Sequence, residues 1–157
     1  MKLTTLILLA SLAFPTVVAA GESSHTFAQT SVLAEGQWVR VQLDDKRDGV
    51  FQISYDQMKK MGFSRPEQVG VYGFGGHELP EKLESIAYDD LAEVAVYQDT
   101  RNKRILFFGR GLCSWNYNEK SGFSHRINSY DTKACYFLHQ KDEAPLSMYV
   151  LPHNAEE

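Results

Sequence analysis

Apolar and polar positions change rhythm several times along this chain, and each change marks an element. Leu3 to Phe14 is an apolar run broken only by Thr4, Thr5 and Ser11. Residues 21–31 are small and polar. From Trp38 strict alternation sets in. Val39, Val41 and Leu43 point one way, and Trp38, Arg40 and Gln42 the other, which predicts a strand with one buried face. Asp44 to Gly49 is a charged turn ending in Asp-Gly. Phe51, Ile53 and Tyr55 then alternate again, so the two runs predict a hairpin. Ser54 with Gln57 three residues on is a capping-box signal. Tyr55, Met58 and Met61 lie at helical spacing and Gly62 is a natural stop, which predicts one short helix with its methionines facing the core.

Further along, Val69, Val71 and Tyr72 predict a strand that runs into Gly73-Phe74-Gly75-Gly76. That cluster lacks the spacing of a phosphate loop, and it reads as a turn needing positive φ. Residues 77–90 read as a loop. Ala92, Val94 and Val96 begin a strand, and Asp99 to Lys103 is a polar turn. The continuous apolar run Ile105 to Phe108 predicts a strand buried on both faces. Residues 109–131, rich in Gly, Ser, Asn and aromatics, read as one long loop. Cys135 to Leu138 predicts a strand and Met148 to Leu151 a last short one. Short, closely spaced strands with one helix predict a mainly β fold, a sandwich-like antiparallel domain.

Charge and composition refine this picture at the ends. Met1-Lys2, the apolar run, Pro15, and small residues before Gly21 form the three parts of a cleavable signal peptide over residues 1–20. The apolar core falls short of the roughly 20 residues of a membrane span. No cysteine stands near the cut to carry a lipid. The expected organisation is a signal peptide (1–20), a flexible lead (21–31), one β-rich domain (32–151) and a tail (152–157). The mature part carries net charge −5, since the signal removes only Lys2 from a chain of net −4. That acidity argues against nucleic acid as a partner.

Candidate chemistry is sparse. Cys113 and Cys135 would be exported to a compartment where disulfides persist. A bridge between them would close a loop of about 20 residues and contribute about 3 kcal/mol. Two unpaired thiols are the alternative, and spacing alone does not decide. Cys113 and His125 share the 109–131 segment, but nothing in their spacing makes them nucleophile and base. The five histidines are scattered without the close pairing of zinc ligands. Asp44, Asp45 and Asp48 crowd one turn without the spacing of a calcium loop. Trp115, Tyr117, Phe123, His125 and Tyr130 are the candidate binding surface. They would form an aromatic platform, or fold back as a satellite core. No metal or other cofactor is expected.

An ordered series of segments adds a resemblance. Ser31 to Trp38 (SVLAEGQW) and Gly49 to Asp56 (GVFQISYD) open it. Val71-Tyr72-Gly73, Gly75-Gly76 and Leu79-Pro80-Glu81 follow. Asp89 to Glu93 (DDLAE), Ala95-Val96-Tyr97, Ile105 to Gly111 (ILFFGRG) and Trp115 come next. Phe123-Ser124-His125, Asn128-Ser129-Tyr130 and Cys135 to Leu138 (CYFL) close it. Together, from about Ser31 to Leu138, they resemble the N-terminal β-rich region of the gingipain-like (peptidase C25 family) sortase of the type IX secretion system. The resemblance implies a bacterium of the Bacteroidota and a location in the periplasm or at the outer-membrane surface. In that family the region precedes a caspase-like peptidase domain with a catalytic Cys and His. This chain stops at Glu157, so no catalytic residue carries over. The Asp99 to Lys103 turn is also shorter and less acidic than the family implies, which weakens a calcium site there.

The expectation is therefore an exported, non-catalytic binding domain that docks on envelope or secretion-system proteins, with no transmembrane segment after signal cleavage. It would be either a stand-alone accessory module or a piece of a longer sortase-like protein. Two other readings stay open. One is a glycan-binding module using the aromatic 109–131 segment. The other is a prodomain-like inhibitor of a C25 cysteine peptidase, with that segment entering the cleft.

Overall fold

A computed structural model describes residues 28–79 and 89–149. Residues 1–27, on which the expected signal peptide and most of the expected lead fall, residues 80–88 and everything from residue 150 onward lie outside the described residues. The fold is mainly β, with antiparallel sheets and one short helix.

Alternation builds the first sheet. In β1 (Trp38–Gln42), Val39 and Val41 face inward and pair with Leu138 and Tyr136 of β9 (Cys135–Gln140). On the other side of β9 lies β3 (Val69–Gly75), with Val71 opposite Leu138, and then the two-residue β4 (Glu93–Val94). The second sheet has the order β2 (Gly49–Ser54), β6 (Arg104–Gly109), β5 (Val96–Asp99). Its inner row pairs Phe51 with Phe107 and Ile53 with Ile105. The two inner rows share one core, where the Phe107 and Tyr136 rings meet edge to face at 5.3 Å. Val71, Phe107 and Leu138 are fully buried, a contribution of about 1.5–3 kcal/mol each. Helix α1 (Tyr55–Lys60) adds Tyr55 and Met58 to that core. Its capping box forms as the sequence predicts: Ser54 Oγ accepts from the Gln57 N–H, and Gln57 Oε1 accepts from the Ser54 N–H.

Several expectations are corrected. β1 and β2 do not form a hairpin; they are edge strands of opposite sheets. Both runs alternate because both line the same core, so the pattern fixes each strand but not its partner. The Asp-Gly pair is no turn either, since Gly49 is the first residue of β2. Residues 43–48 are instead a crossover between the sheets. β6 is buried on one face only. Ile105 and Phe107 point inward while Phe108 is 50% exposed. The glycine cluster has the positive φ expected of it, 125° at Gly73 and 75° at Gly75, and β3 ends at Gly75 with a turn at Gly76. What the sequence did not show is the bulge between Tyr72 and Gly75, where a Cβ at Gly75 would meet Arg110 O and Tyr136 Oη. The lead is fastened from Ala28, because Asp89 accepts from the Ala28 N–H and Asp90 accepts from Ser31 Oγ and the Val32 N–H. Near the predicted last strand, Ser147 makes one parallel bridge to Val96, and Met148 and Tyr149 are in no strand.

The 109–131 segment is not a long loop. It contains β7 (Cys113–Asn118) and β8 (Gly122–Ile127), paired as a separate two-stranded ribbon. Of the two alternatives left open for the cysteines, the structure has the unpaired thiols: both cysteines are free. Cys113 starts the ribbon, opposite Ile127. Cys135 starts β9 in the first sheet, opposite Gln42. Its sulfur accepts a hydrogen bond from Arg40 Nη2 at 2.9 Å.

Candidate binding surface

The ribbon is strict in its register. Cys113 lies opposite Ile127, Trp115 opposite His125 and Tyr117 opposite Phe123. Residues directly opposite share a face, so these six side chains form one face in three rows. The ring centroids are close in both aromatic rows: Trp115 to His125 at 5.1 Å and Tyr117 to Phe123 at 5.0 Å. The other face carries Ser114, Arg126, Asn116 and Ser124. Residues 119–121 close the ribbon, with Asn118 Oδ1 accepting from the Lys120 N–H and Gly122 at φ 74°.

The polar face is the one tied to the body. Arg126 forms an ion pair with Glu78, whose side chain is only 7% exposed. The same carboxylate accepts from the Ser129 N–H at 2.8 Å. Ser114, Asn116 and Arg126 line, with Trp115, a depression of about 330 Å³ against Phe74 and Arg110. The apolar face is left to solvent: Trp115 is 64% exposed, Tyr117 65%, Phe123 76% and Ile127 59%. Asn116, Ser124 and Arg126 of the polar face are exposed too, so the ribbon stands out from the sandwich with its apolar face uncovered, unlike a sheet that turns that face to the core.

The base of the ribbon is fixed through the crossover. Lys46 O accepts from the Leu112 N–H at 2.7 Å and the Cys113 N–H at 3.2 Å. Asp48 Oδ1 accepts from the Gly111 N–H and lies 2.8 Å from His77 Nε2. Asn128 donates from Nδ2 to Gly76 O and from its backbone N–H to Leu112 O. These contacts run from both ribbon strands into the sandwich.

Four of the five predicted surface residues therefore come together: Trp115, Tyr117, Phe123 and His125. Their alternative fate, a satellite core, does not occur. Tyr130 stands apart, beyond the ribbon, 80% exposed and with its backbone N–H bonded to Asn128 Oδ1. Sequence reading missed Ile127 and the inward role of Arg126. The signal was present as apolar residues at every second position over 113–117 and 123–127. Cys113 and His125 are in different rows of the ribbon and are not cross-strand partners. In the crossover, Arg47 pairs with Asp45 at 2.9 Å and holds its carboxyl down at about 2. Among the described residues, no group of three or more His, Cys, Asp or Glu side chains is placed to hold a metal ion. No helix among them is long and apolar enough to cross a membrane.

Comparison with known proteins finds similarity among solved structures. No family model matches the chain, and no curated protein matches it. Among solved structures, the crystal structure of dimeric latent PorU from Porphyromonas gingivalis is similar, with TM-score 0.69 and 36% sequence identity over 78% of this chain. These residues form a PorU-like region. The match spans only 11% of the PorU chain. PorU is a secretion-system component, so the resemblance read from the sequence holds in its coarse form. The activity of the whole protein is not thereby a property of the PorU-like region.

Proposed function

We propose that this chain is an exported, non-catalytic docking module of a type IX secretion apparatus, and that the outer face of the β7–β8 ribbon is its docking surface. The observation that carries this reading is the uncovered apolar face of the ribbon. Trp115, Tyr117, Phe123 and Ile127 are exposed side by side, while Arg126 on the opposite face ties the ribbon to Glu78. Contiguous exposed apolar patches mark protein-contact sites, and Trp and Tyr are favoured anchors there. Similarity to part of a secretion-system component supports an envelope setting.

A protein partner suits this face better than a glycan. Sugar sites combine a ring with converging polar groups in a concavity. Of the ribbon's aromatic rings only Trp115 borders the polar depression of Ser114, Asn116 and Arg126, whereas Tyr117, Phe123 and Ile127 continue the exposed apolar face beyond it.

The test is affinity capture from the native envelope with the wild-type chain and with Phe123→Glu. Recovery of identified secretion-system components by the wild type, lost in the variant, supports the reading. Equal recovery by both removes the ribbon from it. Binding on a glycan panel that is lost in Trp115→Ala would favour the sugar reading.

The PorU structure similar to this chain is of a latent form, and the hairpin shape of the segment favours a second reading. In it the ribbon enters the cleft of a C25 peptidase and inhibits it. Unchanged peptidase activity at a micromolar excess of this chain would remove that reading.

A further inference from the structure

We infer that the free edge of β2 is a further binding site, and that it takes an extended peptide segment of another polypeptide, added as a new strand to the second sheet. The site lies apart from the ribbon and does not depend on the ribbon's role.

The first argument is the main chain. Tyr55 donates its N–H to Lys103 O at 2.8 Å, and the residues before it continue the same register, with Ser54 opposite Arg104. Hydrogen-bonded pairs alternate along an antiparallel ladder. The bonded pairs are therefore Ile53 with Ile105 and Phe51 with Phe107. The N–H and C=O groups of Val50 and Gln52 point the other way, out of the sheet, and both residues are exposed. No main-chain hydrogen bond to these four groups is present among the described residues. An incoming strand matches the spacing of such a row.

Comparison of the edges is the second argument. The other sandwich edges carry the usual guards against pairing, which are shortness, cover and charge. β4 has two residues. β5 is covered at Val96, which donates to Leu146 O and accepts from the Met148 N–H. β1 carries Arg40 at its centre. β2 reads GVFQIS, with no charge, no proline and no shift of register against β6.

The third argument is what lies beside the edge. A groove of about 320 Å³ opens between β1 and β2, lined by Val41, Leu43, Phe51, Ile53, Met61 and Phe107. A strand added to β2 would run about 4.8 Å from it. Its residues opposite Phe51 and Ile53 would point into this groove, and those opposite Val50 and Gln52 to the outside. The occupant is thus apolar at every second position and polar between. The charged residues on the groove are Asp44 and Asp45. Asp45 is already paired with Arg47. Asp44 is left to favour a basic residue at one end of the segment.

The probe is a capped peptide of about eight residues, a usual strand length, with valine and threonine alternating and lysine at both ends. It is titrated into the mature chain to about 2 mM, which spans the weak affinities of short peptides. The expected result is saturable shifts of the Val50 and Gln52 amide signals, with hydrogen exchange at both slowed at least ~10-fold at saturation. A copy of the peptide N-methylated throughout keeps its side chains, loses its donors and should not bind. Glutamates in place of the lysines should weaken binding at least ~3-fold. Val50→Lys puts a charge on the edge and should raise the dissociation constant at least ~10-fold. Circular dichroism checks that this variant folds, and the methylated peptide tests the same point on the wild-type chain.

No shift up to the top of the titration overturns the proposal, as does equal binding of the methylated peptide. Equal binding with glutamate ends overturns the chemistry assigned to the occupant. Protection at Arg40 and Gln42 instead of Val50 and Gln52 places the strand on β1 and also overturns it. If Val50 and Gln52 are protected without peptide, and more so at higher chain concentration, a second copy fills the edge and the peptide proposal falls.

Discussion

Arg126, on the inner face of the ribbon, forms an ion pair with Glu78, whose side chain is 7% exposed while that of Arg126 is 61% exposed. The pair is a clamp between the ribbon and the stretch that follows β3. Glu78 also receives the Ser129 N–H, so its carboxylate fixes both β8 and the segment after it. Replacing Glu78 by Ala removes the acceptor of that N–H and one ion-pair partner of the guanidinium, at a cost of about 1–3 kcal/mol. Hydrogen exchange should show faster exchange over 113–129 in Glu78→Ala, with sandwich amides such as Val71 and Phe107 little changed. Equal protection of the ribbon in both proteins would show that the clamp does not hold it.

Two glycines with similar backbone angles should respond differently to the same change. Gly75 has φ 75°, and a Cβ there would meet Arg110 O at 2.5 Å and Tyr136 Oη at 2.6 Å. Gly122 has φ 74°, with nothing within 4 Å. Gly122→Ala carries only the left-handed penalty, about 1–2 kcal/mol. Gly75→Ala adds a backbone clash in the core bulge and should cost more, about 3 kcal/mol or above. Thermal unfolding of the two variants gives the order directly.

Asp45 should titrate low. Hydrogen bonds from Arg47, side chain first and then backbone, lower its carboxyl from 3.8 to about 2. A depressed folded value means that the favourable contribution is present above about pH 4 and fades as pH falls through about 2. The pair lies at the surface, where solvent screens it, so the effect on stability is small. Carboxyl chemical shifts followed against pH should give a midpoint near 2 for the wild type. In Arg47→Ala the midpoint should move up toward 3.8.

The cysteines should react as thiols. Alkylation of the denatured chain without reductant should add two groups by intact mass, one for each free cysteine. A chain that gains none would carry a bridge after all. In the folded state Cys135 and Arg40 share a hydrogen bond at 2.9 Å. Arg40→Ala should therefore alter the rate of alkylation at Cys135 while leaving Cys113 unaffected.

Local pattern was enough for the strands at 38–43 and 51–55 and for the capped helix, because period and cap are written in adjacent residues. Pairing was not. Val39 and Ile53 obey the same alternation whether their strands are neighbours or face each other across a core. Phe108 looked buried because it continues an apolar run, yet the pleat turns it outward. The ribbon was hidden by its own polar face: Ser114, Asn116, Asn118 and Ser124 make 109–131 resemble loop composition. Whether Trp115 and Phe123 would be buried or displayed depended on Arg126 and Glu78, 48 residues apart in the chain. No window of sequence contains that choice.

The crossover at Lys46 and Asp48 joins the two sheets, and the same two residues accept the main-chain hydrogen bonds at the base of the ribbon. The ribbon is thus mounted on the joint between the sheets rather than on either sheet. A push on its aromatic face acts as torque at that joint. Whatever grips the tip has leverage over the angle at which the two halves of the sandwich meet.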